Sequence, residues 1–150
     1  MKMERLCRGA VEPEDFRSYL YKLLVRRPCT EAEALERLLR KGMPRNEASD
    51  LVAEFVVLGL IDDAGYARLF VDGHTHWGCE RIRHELRRRG IRNDIAAEAL
   101  EEEDDVEKAR LLAESWAGQG LEWRKIEGRL ARRGFSLRTL SSLGRDEIEW

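Results

Sequence analysis

A chain of 150 residues with 43% hydrophobic and 37% charged side chains can fill one domain or a short array of smaller units, and is too apolar to be disordered. Its net charge of −2 gives no argument for a nucleic-acid partner until the distribution of charge is followed along the chain. Three cysteines (Cys7, Cys29, Cys79) with no CxxC pair argue against a disulfide framework, and no stretch approaches the ~18 apolar residues of a membrane span.

The first residues, MKMERLCRGAVEPED, lack the apolar core of a signal peptide. The expectation is a soluble protein of a reducing compartment. Abundant Leu, Ala, Glu and Arg with only three prolines predict an all-α chain.

Three segments align on a glycine: LERLLRKGMPRNEASDLVAEF (35–55), IRHELRRRGIRNDIAAEALEE (82–102) and IEGRLARRGFSLRTLSSLGRD (126–146). Each has leucine four residues before the glycine (Leu38, Leu86, Leu130). Two cations then precede it, Arg40-Lys41, Arg88-Arg89 and Arg132-Arg133, and an apolar residue follows it: Met43, Ile91 or Phe135. Gly42, Gly90 and Gly134 are 48 and 44 residues apart, a spacing typical of helical repeats. Each glycine is expected just past a helix in the left-handed conformation, with the apolar residue folding back on the last turn and the cations opposing the negative helix end.

Upstream of the glycines, IDDAGYARLF (61–70) matches EDDVEKARLL (103–112), and YKLLV (21–25) is a weaker counterpart. Asp62 and Asp63 could pass for catalytic carboxylates, but the pair recurs at Asp104-Asp105 and reads as helix N-caps. The predicted architecture is three tandem three-helix repeats at 14–61, 62–103 and 104–146, between tails 1–13 and 147–150. Such arrays contact mainly their neighbours and form elongated, curved shapes. That favours a binding module over a pocketed enzyme, and the polar outer faces favour a monomer.

Gly59-Leu-Ile-Asp-Asp63, Tyr66-Ala67, Gly78, Arg81-Ile82, Glu85-Leu86, Arg89-Gly90-Ile91, Ile95 and Ala99-Leu100 together resemble the RecX regulatory family. The flanking RLLRKGM and RLARRGF fit the same pattern, so the resemblance spans nearly the whole chain. It implies three tandem three-helix repeats and a cytoplasmic bacterial protein that binds the groove of the RecA nucleoprotein filament. There it would modulate, most often inhibit, ATPase, strand-exchange and coprotease activity, with some contact to DNA. One stretch departs from the pattern: the family usually has basic residues, and often proline, where this chain has DGHTHWGC (72–79).

The docking surface is predicted on two helices. Along 80–89, Ile82 and Leu86 share the core face, leaving Arg81, Arg83, His84, Arg87 and Arg88 outward. In the third repeat Trp123, Ile126 and Leu130 face inward, leaving Arg124, Lys125, Arg129 and Arg132 outward. The ordinary account of such a helix is a solvated face, but soluble surfaces normally intersperse charges of both signs. Compensating acid lies elsewhere, in EALEEEDDVE (98–107) and DEIE (146–149). The expected contacts are therefore Arg81, Arg83, Arg87, Arg88, Lys125, Arg129 and Arg132. Arginine suits phosphate and carboxylate alike, so direct single- or double-stranded DNA binding by helix-turn-helix-like modules is the alternative. An adaptor for another acidic partner is a third.

HTHWGC (74–79) suggests a metal site at first sight. A structural zinc site wants four ligands, usually two close pairs set apart; here three share one loop, and His84 points outward. The stretch reads as a connector, with no metal or other cofactor. No glycine-rich phosphate loop, Gly-x-Ser-x-Gly elbow or Cys/His pair with an orienting acid is present, so no enzyme is expected.

Overall fold

The computed structural model describes residues 13–143; the expected tails lie outside them, save Pro13, which opens the first helix. Nine α-helices follow one another among the described residues: α1 (Pro13–Arg26), α2 (Glu31–Arg40), α3 (Arg45–Val57), α4 (Asp63–Gly73), α5 (Cys79–Arg88), α6 (Asn93–Ala99), α7 (Asp105–Gly118), α8 (Trp123–Arg132) and α9 (Leu137–Ser142). The protein is all-α, a tandem array of helical repeats. Two compact units arise by contact: one runs to Tyr66 and takes in Arg89–Ile91, the other holds Ala67–Arg88 and the residues from Arg92 onward.

Local chemistry sets the helix ends. Thr30 accepts from Glu33 N at 3.1 Å while Glu33 Oε1 accepts from Thr30 N at 3.3 Å, a capping box that starts α2 and satisfies two otherwise orphaned amides. Gly42, Gly90 and Gly134 take φ of 98°, 82° and 92°, the left-handed conformation expected of them. Met43 N donates to Leu38 O and Phe135 N to Leu130 O, each at 3.1 Å, closing the turn the sequence predicts. The residue after each glycine, Met43, Ile91 or Phe135, is buried.

The aspartate pairs divide their work in a way the sequence conceals. Asp62 accepts from Gly65 N at 3.1 Å and Asp104 from Glu107 N at 3.1 Å, so the first of each pair caps its own helix. The second caps an earlier helix. Asp63, buried, accepts from Glu31 N at 2.9 Å, the first amide of α2. Asp105 accepts from Cys79 N at 2.9 Å, the first amide of α5. This corrects the expectation that Asp62 and Asp63 cap the same helix.

Each unit has its own core. Phe16, Leu20, Leu38, Leu51, Phe55 and Ile61 anchor the first; Trp116, Ile126, Leu130, Phe135 and Leu143 anchor one cluster in the second. Ile82 and Leu86 of α5 are fully buried. Burying a side chain of that size stabilises by roughly 1.5–3 kcal/mol, which fixes the inward face of α5 and hence its outward one.

Candidate docking face

The predicted contact residues lie on α5 and α8, both inside the second unit. Arg83, Arg87 and Arg88 of α5 are exposed, as are Lys125, Arg129 and Arg132 of α8. Arg81 is half-buried: its guanidinium stacks 3.8 Å over the Trp77 ring. It is therefore held along one side rather than projecting freely, because the loop before α5 folds back onto the first turn.

The cations differ in how they are already engaged. Arg88 pairs with Glu85 at 3.2 Å, a pair open to water and so of small energetic weight. Arg87 donates to Asn93 Oδ1 at 3.3 Å. Among the described residues no carboxylate lies in ion-pair range of Arg83, Lys125, Arg129 or Arg132. Four unneutralised, exposed cations on two helices make a face of one sign.

The start of α5 meets the end of α8. Gly78 N donates to Arg133 O at 2.8 Å, and a methyl group on Gly134 would stand 2.6 Å from Arg81 N, so backbone touches backbone there. The partial charges at the two helix termini are opposite and attract across that junction. Arg81, Arg129 and Arg132 gather around it. Lys125 lies two turns back along α8, about 10 Å away by helix rise, and Arg87 and Arg88 close the far end of α5. The set is spread along two helices, a form suited to an extended anionic surface.

HTHWGC is the connector that holds this arrangement. His74 stacks on Phe70 and tilts against Trp77, with centroids 4.1 Å apart in each case, and its Nδ1 is 2.7 Å from Phe70 O. Lys108 Nζ donates to Trp77 O at 3.2 Å. The Cys79 thiol donates to Asp105 Oδ1 at 3.1 Å; burial, then the Asp105 hydrogen bond and negative charge, push it up to about 12. Such a thiol is a poor nucleophile and a poor metal ligand, since both roles need the thiolate. No group of three or more metal-ligating side chains is assembled among the described residues.

Trp77 and Trp116 already have partners on their rings. Trp77 carries Arg81 and His74, and buried Trp116 carries Arg133 and Arg129 at 5.0 and 5.5 Å. Neither is a bare platform for a nucleobase. Arg133, which also donates to His76 O at 3.5 Å, is a residue of this face the sequence reading passed over. Its place one residue before Gly134 was visible, but its contact with a loop 57 residues away was not.

The corresponding helix of the first unit, α2, is charged differently among the described residues. Glu33 stands where Arg81 and Lys125 stand in the later repeats, and Arg40 pairs with Glu36 at 2.6 Å. The first unit also exposes large apolar side chains, Tyr21, Val25, Val57, Leu58 and Leu60, with an open groove between α1 and the end of α3 lined in part by Tyr21, Phe55, Leu58 and Leu60. Arg17 and Glu54 neutralise each other beside it through two hydrogen bonds of 2.9 and 2.7 Å.

These features define a class, an all-α protein of tandem helical repeats with a row of exposed cations on α5 and α8. Residues 62–100 match the family description "RecX, second three-helix domain". The chain is 31% identical to the regulatory protein RecX of Thermobifida fusca, over 94% of this chain and 85% of that one. It is 32% identical to that of Streptomyces coelicolor, over 82% and 72%. The crystal structure of RecX from Lactobacillus salivarius shares the fold, with a TM-score of 0.80 over 90% of this chain and 96% of that one at 24% identity. The chain belongs to the RecX family of regulatory proteins. No helix among the described residues is long and apolar enough to cross a membrane.

Proposed function

We propose that the chain is a non-catalytic cytoplasmic regulator that lays the α5–α8 face onto the nucleoprotein filament of a RecA-type recombinase and slows its ATP turnover and strand exchange. The observation that carries this reading is the set of exposed cations without carboxylate partners among the described residues, Arg83, Lys125, Arg129 and Arg132. They lie on two helices joined end to start by the Gly78–Arg133 hydrogen bond. A filament wrapped on DNA offers both carboxylates and phosphates, and guanidinium groups bind both in bidentate fashion. The repeats are taken at 14–61, 62–103 and 104–146, which puts the whole face on the second and third.

Direct binding to bare single strands is the less favoured alternative. Stacking of bases on aromatic rings commonly supports it, and Trp77 and Trp116 are already covered. The test is DNA-dependent ATP hydrolysis by the cognate recombinase on single-stranded DNA, with this protein titrated in. Binding to the same DNA without recombinase is measured in parallel. Inhibition at concentrations well below those that bind bare DNA is the expected result. An unchanged rate together with tight, salt-sensitive binding to bare DNA would overturn the proposal in favour of direct DNA recognition.

A further inference from the structure

We propose that the apolar groove between α1 and the end of α3 is the contact surface for a second copy of this chain, paired face to face about a two-fold axis along the groove. Val57 is 87% exposed, Val25 70% and Leu58 60%. Tyr21 and Leu60 extend the same patch into the groove, over Phe55. Single apolar residues are ordinary on a soluble surface, whereas a contiguous patch of them marks an interaction site. Tyr21 and Val25 lie one turn apart on the outward side of α1, away from buried Phe16 and Leu20, so the fold of the first unit does not use them.

The charges on the two walls of the groove select its occupant. Past its first turn α1 is purely basic, with Arg17, Lys22 and Arg26 and no acid from 16 to 27. Past Arg45 the other wall is purely acidic, with Glu47, Asp50 and Glu54 on α3 and no cation from 46 to 63. Arg17 and Glu54 neutralise each other at 2.7 Å, so covering them strands no net charge. Lys22 and Arg26 on one wall, and Glu47 and Asp50 on the other, are exposed. Among the described residues no ion pair reaches any of these four. Spacings of four and three residues put each pair on one side of its helix.

A patch with one basic and one acidic wall is complementary to itself. A two-fold axis along the groove lays the α1 wall of each copy on the α3 wall of the other, cation to acid, with the apolar side chains between them. An axis across the groove would set like charges together. A partner of one sign, such as nucleic acid, would match only one wall and repel the other. The polar outer faces that favour a monomer do not extend over this patch. The contact uses side chains of the first unit alone and does not rest on the filament reading.

Sedimentation of the full chain from micromolar to near-millimolar concentration, with melting temperatures as the folding control, tests the proposal. The wild type should pass from monomer to dimer and no further. Val57→Ser should weaken the dimer while the melting temperature is retained. Lys22→Glu/Arg26→Glu makes both walls acidic and Glu47→Lys/Asp50→Lys makes both basic, so each protein alone should dimerise more than tenfold more weakly than the wild type. An equimolar mixture of the two should recover the dimer, because every wall then meets its opposite. A wild type that stays monomeric throughout would overturn the proposal and leave the groove to a different protein. A dimer indifferent to these substitutions, or a mixture no better associated than its components, would overturn it as well.

Discussion

The first repeat and the two that follow are built from one pattern and present different surfaces. In the first, the glycine turn is open among the described residues, Glu33 stands where the later repeats carry a cation, Arg40 pairs with Glu36, and Tyr21, Val25, Val57, Leu58 and Leu60 are exposed. In the second and third, the glycine turns are covered by an earlier helix start, and exposed cations stand without carboxylates. α3 has 13 residues against 7 in α6 and 6 in α9, and its extra turns carry Val57 and lead to Leu58 and Leu60. A repeat fold thus fixes where the backbone meets itself and leaves the outward residues free to diverge.

The glycines break that comparison most strongly. Any side chain at these three positions pays the left-handed conformation, about 1–2 kcal/mol. Gly134→Ala also drives a methyl onto Arg81, and Gly90→Ala one onto Ala32, adding roughly 1–3 kcal/mol of overpacking. Denaturant unfolding should therefore show Gly134→Ala and Gly90→Ala clearly less stable than Gly42→Ala. Equal losses at all three would mean that the junctions are not close-packed.

The aspartates give the next largest contrast. Asp105→Ala leaves both the Cys79 amide and thiol without an acceptor, at a cost of about 1–3 kcal/mol for each buried group orphaned. Asp104→Ala removes only a cap on its own helix, worth about 1 kcal/mol. A reversed order in thermal unfolding would contradict the division of labour within each pair.

A smaller effect lies in alkaline solution. The Cys79 thiol is raised from an ordinary value near 9 to about 12 in the folded protein. Above the unfolded value the unfolded chain has released a proton that the folded chain keeps, so stability declines as pH rises from about 9 to about 12. Cys79→Ser keeps a donor for Asp105 without titrating there, and its pH profile over that window should be flatter. An identical alkaline slope in both proteins would remove Cys79 from the account.

What was legible in the sequence was local. Glycine turns, the first aspartate of each pair and the inward stripe of Ile82 and Leu86 all depend on neighbours within a few residues, so their spacing reveals them. The reach of Asp63 to Glu31 spans 32 residues and that of Asp105 to Cys79 spans 26; nothing in the periodicity signals either. Arg81 shows the same limit, since helical spacing puts it outward and a folded-back tryptophan then covers it. The apolar groove of the first repeat arises from two helices about 35 residues apart in the chain, and neither looks unusual by itself.

Binding to the cognate recombinase filament by two matched charge reversals, Arg83→Glu/Arg87→Glu and Arg40→Glu/Lys41→Glu, decides where the docking face lies. The α5 pair should weaken binding by more than about tenfold with an unchanged melting temperature, while the pair at the end of α2 should bind nearly as the wild type does. Equal losses in both, or a loss in the first that tracks unfolding, would contradict a docking face on the second and third repeats.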